Sequence, residues 1–283
     1  MSELDTKYQS RRLEKRLKER FVKAMATYHL IEDDDRILVG LSGGKDSLLL
    51  LELLAKRAKI LHPRFEVEAL HVRMENIHYE TDTSYLQSFC DELGVPLHIR
   101  TTRFEVFNEE TENINLKPQS SNLKPQTSAR PKDACYQRDA RKLKRKQKQP
   151  CFLCSWMRRK ELFNLAQEIG CNKIALGHHQ DDLIHTALMN LTFQGRFDTM
   201  SASMKMRKMP LTVIRPLCLM EERDIKAYAE LQGYQKQQKL CPYETDSYRT
   251  DIKRLYDNIE QLNPEARFSI WRALTAADKL TEE

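Results

Sequence analysis

Residues 37–47 read ILVGLSGGKDS, and the strongly apolar, helix-prone run 48–54 follows directly. The order is a buried strand, a glycine turn carrying a lysine, and a helix. Such a turn frees backbone N–H groups at Gly43 and Gly44 and aims them, with the positive end of the next helix, at an anion. Lys45 adds a point charge. The loop therefore reads as a cradle for the phosphates of a nucleotide. A Walker A loop is excluded, because Val39 stands where its first glycine belongs and Asp46 where its Ser or Thr follows the lysine. The spacing of Gly40, Gly43 and Gly44 also misses the dinucleotide fingerprint. A turn with no ligand is the plain alternative, and it leaves Lys45 and Asp46 without a purpose inside a tight turn.

Downstream, strands and helices alternate. Strands are expected at 36–41, 65–72, 97–102, 173–176 and 211–214. Helices are expected at 47–61, 83–93, 154–169, 182–191 and 221–232, three of them closed by Gly94, Gly170 and Gly233. This pattern predicts an α/β fold with a doubly wound parallel sheet, whose ligands bind beyond the carboxyl ends of the strands. Ahead of it, residues 5–30 predict an amphipathic basic helix with Leu13, Leu17, Phe21 and Met25 at a spacing of four, ended by Asp33–Asp35. Its cationic face suits either plain solvation or RNA. Residues 250–280 predict two helices split near Asn263 and Pro264. The expected division is an N-terminal helix (1–35), an α/β domain built on the phosphate loop (36–235), and a cysteine loop with a helical extension (236–283).

Residues 108–150 break the alternation. They are nearly devoid of large apolar side chains, repeat NLKPQ twice, and end with seven Lys or Arg in the eleven residues 138–148. A segment of that composition cannot bury enough surface to fold alone, so a disordered basic insertion is expected. It is either solvated or an arm that grips phosphates. The net charge of +6 gathers there and in residues 7–23, which favours a polyanionic partner. No apolar run reaches the roughly 18–20 residues of a membrane span. The polar N-terminus predicts no signal peptide, hence a cytoplasmic location and reduced thiols.

Three clusters carry chemistry. Cys151 and Cys154 form a C-x-x-C at a helix start, where the helix dipole lowers thiol pKa values. Cys241, in a Leu-Cys-Pro turn, is a candidate third thiol. Metal or iron–sulfur binding, redox chemistry and plain structure are all open for the pair. The run GHHQDD at residues 177–182 follows a strand end, and its adjacent carboxylates suit Mg²⁺ held against a polyphosphate. A simple helix cap at Asp181 or Asp182 is the alternative. Arg215, past another strand end, either reaches the same crevice or lies on the surface.

These residues together carry a family resemblance. Residues 42–47, SGGKDS, resemble the PP-loop of N-type ATP pyrophosphatases, which adenylate a substrate oxygen and release pyrophosphate. Adding the C-x-x-C with Arg158 and Arg159, KIALGHHQDD at 173–182, IRPL at 214–217 and Cys241, the chain resembles the TtcA-like family of tRNA 2-thiocytidine biosynthesis proteins. The likeness covers residues 12–107 and 150–274. It implies ATP-dependent thiolation of a pyrimidine 2-oxo group in tRNA, in the cytoplasm. It implies a 4Fe–4S cluster on Cys151, Cys154 and Cys241, with one iron left for sulfur. It further implies that Ser42, Gly43, Gly44, Lys45, Asp46 and Ser47, with His178 and Arg215, hold ATP. Lys45, Asp46 and Asp181 would be the catalytic set, the two aspartates facing Mg²⁺ or orienting the reaction. The implied partners are tRNA and a sulfur donor such as a cysteine desulfurase, and a homodimer is allowed. Rival readings are 2-thiouridine or lysidine-type chemistry on the same loop, a structural zinc site, and a non-catalytic RNA-binding iron–sulfur module. The basic insertion has no counterpart in the resembled pattern.

Overall fold

Along β1 (Asp35–Gly40), Ile37 and Val39 turn to one apolar core and Leu38 to a second, and all three are fully buried. A strand buried on both faces belongs in the middle of a parallel sheet covered by helices. That is its place in the computed structural model, which describes residues 3–75, 82–103, 150–235 and 248–281. The sheet has six strands in the order β3-β2-β1-β4-β6-β5. These are β2 (Phe65–Met74), β3 (Leu97–Thr102), β4 (Lys173–Ala175), β5 (Ser203–Lys205) and β6 (Thr212–Ile214). All pairings are parallel except β5 with β6. The chain winds outward from β1 to β3, then returns to the other side of β1 as β4. The switch point between β1 and β4 is where a doubly wound sheet opens a binding crevice.

Helix α1 (Glu3–Thr27) buries Leu13, Leu17, Phe21, Ala24 and Met25 in the core shared with α2 (Lys45–Ala58) and α3 (Thr83–Leu93). The spacing of four therefore marks a packing face. Arg16 and Arg20 on its flank pair with Asp224 at 2.6 Å and Glu221 at 2.7 Å. The helix stops at Thr27, earlier than the expected Leu30. Leu30 is pulled fully into the core beyond the helix end, and His29 takes a positive φ of 48° to allow it. Asp35 starts β1 instead of closing the helix, and its carboxylate receives the Lys173 ammonium at 2.7 Å.

On the opposite face, α4 (Pro150–Glu168) packs Leu162, Leu165 and Ala166 on Leu38, Leu70 and Ile174. Pro150, expected at the end of the insertion, opens this helix, where a missing N–H costs nothing. Next come α5 (Gln180–Gln194), α6 (Glu222–Leu231), α7 (Tyr248–Leu262) and α8 (Ala266–Ala276). Helix α5 begins two residues earlier than expected and runs on to Gly195, whose φ of 62° ends it. The antiparallel strand β5 has no sequence signal, being three residues long with a single apolar side chain. The basic insertion, with Cys135 and residues 138–148, falls among residues 104–149 outside the described residues, as does Cys241. Among the described residues no helix is long and apolar enough to cross a membrane.

Candidate active site

The loop between β1 and α2 is shaped by its own serines. Ser47 Oγ accepts from the Ser42 N–H at 3.1 Å and donates to the Gly44 carbonyl at 2.9 Å, while the two hydroxyls lie 3.0 Å apart. Gly43 turns the chain at φ 78°, a conformation that favours glycine. Ser47, expected to hold phosphate, is 3% exposed, and its hydroxyl is spent on the loop backbone. Gly44 ends the loop as the residue that caps α2 in extended conformation.

Lys45 is gripped by carboxylates. Its Nζ lies 3.1 Å from Asp46 and 3.3 Å from Glu222, and Glu222 also takes Lys253 at 2.7 Å. Burial opposes the charge on Lys45, but Asp46 and Glu222 outweigh it and raise the ammonium above its usual pKa. The lysine is therefore a fixed cation at the loop.

From β4 the run at 177–182 closes over this loop. A Cβ on Gly177 would sit 3.1 Å from the Asp46 carbonyl carbon and 3.2 Å from the Ser47 nitrogen. Those contacts are tighter than ordinary packing, so a side chain there would press on the Asp46–Ser47 backbone. His179, buried at the start of α5, has Asp46 at 3.9 Å from its Nε2, Asp182 at 3.5 Å, and Asp181 at 3.5 Å from its Nδ1. Burial opposes protonation of His179, yet these carboxylates win and raise its pKa. Asp182 accepts from the His179 backbone N–H at 3.1 Å, which is the capping role. Asp181 does something else. Its Oδ2 accepts from the Glu222 backbone N–H at 2.8 Å and its Oδ1 from Arg267 at 2.7 Å. Burial pushes its carboxyl upward, but His179 and Arg267 hold it far below the carboxylate range. Expected to face Mg²⁺, Asp181 has both oxygens engaged by protein donors.

His178 is the opposite case. Burial first, then the charge of Arg215, lowers its pKa to about 4, with Arg249 and Arg159 adding to the effect and Asp182 opposing it. Its Nδ1 is buried without a hydrogen-bond partner among the described residues. Arg215 is neither a surface residue nor a loose one. It is 6% exposed, and its guanidinium donates to the Ser201 carbonyl.

Cys151 and Cys154 sit in the first turn of α4, the former exposed and the latter half-buried against Met74, on which Leu153 and Met157 also pack. Arg159, just over one turn further on, is one of the charges felt at His178. Met74 ends β2, so the cysteine turn lies at the carboxyl edge of the sheet, the edge from which the loop after β1 and the GHHQDD run after β4 also leave. Two i, i+3 thiols beside a helix N-terminus fit part of an iron–sulfur ligand set. The third proposed ligand, Cys241, is outside the described residues. Among the described residues no three metal-ligating side chains converge. Cys90 and Cys171 are core thiols that burial pushes up to about 11, and Cys218 to about 12.

Sequence reasoning missed Glu222, Lys253 and Arg267. Arg267 of α8 reaches Asp181, Glu260 at 3.0 Å, and the Tyr256 ring with its guanidinium carbon 5.5 Å from the centroid. With Asp181, His185 and Glu222, Arg267 and Lys253 line a charged pocket of about 300 Å³ beside the loop. Glu222 opens α6, where an acidic side chain ordinarily does no more than complement the helix dipole, and no local signal marked Lys253 or Arg267.

A sequence profile described as the PP-loop domain matches residues 10–124 and 155–245. The tRNA-cytidine(32) 2-sulfurtransferase of Pelobacter propionicus is 34% identical over 267 residues, covering 92% of this chain and 85% of the relative. The chain belongs to the PP-loop family, within its tRNA-cytidine(32) 2-sulfurtransferase group. A similar protein of the same name from Bordetella avium is 30% identical over 97% of this chain and 76% of its own. Another, from Geotalea uraniireducens, is 33% identical over 93% and 92%. Among solved structures, the U34-tRNA thiolase NcsA from Methanococcus maripaludis, described with its [4Fe-4S] cluster, superposes with a TM-score of 0.66. It covers 96% of this PP-loop chain and 81% of its own at 23% identity, a likeness of fold.

Proposed function

We propose that this PP-loop protein is an ATP-dependent tRNA sulfurtransferase that replaces the 2-oxo group of an anticodon-loop cytidine with sulfur. The carrying observation is that two built features share the carboxyl edge of one parallel sheet. A glycine loop with a fixed lysine occupies the switch point after β1, and a helix start bearing two cysteines packs at the end of β2. A cytidine C2 carbonyl is amide-like and resists exchange for C=S. Its oxygen attacks the α-phosphorus of ATP, the bond to the β-phosphate oxygen breaks, and pyrophosphate leaves. A sulfide-level nucleophile then adds at C2, and AMP departs with the former carbonyl oxygen.

The chain's own residues serve the first half by holding charge. Lys45 and the loop N–H groups of Gly43 and Gly44 face the departing pyrophosphate, where a preorganised cation and amides stabilise developing negative charge. Ser42 and Ser47 keep the loop in that shape. Asp46, beside Lys45 and His179, is the carboxylate best placed to face a divalent cation bound to the phosphates. Asp181 acts through His179 and the α6 N-terminus as a positioning residue. His178 stays neutral and, with Arg215 behind it, lines the nucleotide crevice. When bound on Cys151, Cys154 and Cys241, a [4Fe–4S] cluster supplies one iron without a protein ligand, a place to carry sulfide.

Each turnover consumes a sulfur atom, so a donor such as a cysteine desulfurase belongs to the proposal. A tRNA substrate puts the work in the cytoplasm. A homodimer is the remaining assembly, readable by sedimentation. The test is Lys45→Ala in tRNA-dependent pyrophosphate release. Losing this cation should slow release by about 100-fold or more while the fold persists. Undiminished release overturns the assignment of Lys45.

A further inference from the structure

Helix α4 buries Leu162, Leu165 and Ala166 and turns a different face outward. On that outer face, Phe152 is 54% exposed and Trp156 53% exposed. The Lys160 ammonium lies 5.9 Å from the Trp156 ring centroid. Residues 152, 156 and 160 follow one another at a spacing of four, so they form a single stripe. Arg159 beside it is also exposed. Residues 150–160 hold three cations and no carboxylate. An indole half in water with a cation over its ring matches the chemistry of a polyanion with flat rings. An apolar protein surface would gain nothing from the cations.

We propose that Trp156, with Lys160 over its ring, is a stacking platform for one unpaired base of the RNA loop. The inference rests on the tRNA sulfurtransferase reading and adds a recognition residue to it. Single-stranded loops are recognised this way, by bases splayed onto aromatic rings, with cations tracking the backbone.

The experiment uses the full chain and a labelled anticodon stem-loop RNA. Fluorescence anisotropy gives Kd for wild type, Trp156→Leu and Trp156→Tyr. Trp156 is on the surface, so both variants fold. Trp156→Leu should bind about tenfold more weakly, in the range measured for lost stacking, and Trp156→Tyr should recover most of it. Wild-type tryptophan emission should be quenched by the RNA, and KM for ATP should not change in either variant. Trp156→Leu binding the RNA as tightly as wild type overturns the platform and leaves the sulfurtransferase reading standing. Tryptophan emission that follows protein concentration without RNA assigns the stripe to a second copy and overturns it as well. Failure of wild type to bind the RNA removes the parent reading and the platform with it.

Discussion

Replacing Arg267 with Met removes the cation shared by three carboxylates. The guanidinium lies 2.7 Å from Asp181, 3.0 Å from Glu260 and 3.9 Å from Glu221, and it is 15% exposed. Breaking a buried pair by deleting one partner costs about 3–5 kcal/mol when the remaining charge is left alone. Asp181 still has the Glu222 N–H at 2.8 Å, so the lower end applies, about 3 kcal/mol at neutral pH. The sign with pH follows from linkage. Asp181 is held far below the usual carboxylate value in the fold, so its contribution is complete above the unfolded pKa and is lost as pH falls through the folded one. Without Arg267 the folded carboxyl rises toward its ordinary value, with His179 and the Glu222 N–H as its remaining partners, and its protonation begins to relieve the lost pairing as pH falls. The penalty should therefore shrink between pH 7.5 and pH 4.5. Urea unfolding of both proteins at the two pH values measures it. A penalty under about 1 kcal/mol at pH 7.5, or one equal at both pH values, refutes the shared-cation argument.

Two further outcomes are expected. Gly177→Ala brings a methyl group to 3.1 Å from the Asp46 backbone. It should cost about 1–3 kcal/mol and raise KM for ATP, and an unchanged nucleotide affinity would contradict the close packing of the two loops. His178, with its pKa lowered to about 4, should show no NMR titration between pH 5.5 and 8. Because the unfolded chain binds this proton at about 6.5, His178 withdraws stability as pH falls from there toward 4, and a folded-state titration near 6.5 would contradict the burial and the arginine charges.

What was legible in the sequence was local. The apolar strand, the Gly43 turn and the helix at Lys45 are adjacent in the chain, and each has its own conformational cause. The left-handed glycines at 94, 170 and 233 closed helices where the pattern broke. The packing face of α1 was legible from its spacing of four. Contacts across the chain were not. Arg267 meets Asp181 across 86 residues, and Lys45 meets Glu222 across 177. Nothing in either stretch encodes the other. The double aspartate shows the same limit. Two identical neighbours divide their work, Asp182 capping α5 and Asp181 tying it to α6 and α8, because helix rotation points them to different partners. Strand β5 was invisible because its pairing with β6 comes from tertiary placement.

The most direct measurement is mass spectrometry of nucleosides from tRNA incubated with the full protein, ATP, Mg²⁺ and sulfide under anaerobic conditions. The account expects 2-thiocytidine from the wild type, none from Lys45→Ala, and none from Cys154→Ser, while Cys154→Ser still releases pyrophosphate when tRNA is present. A different thiolated base, or 2-thiocytidine formed at the wild-type level by Cys154→Ser, would contradict it.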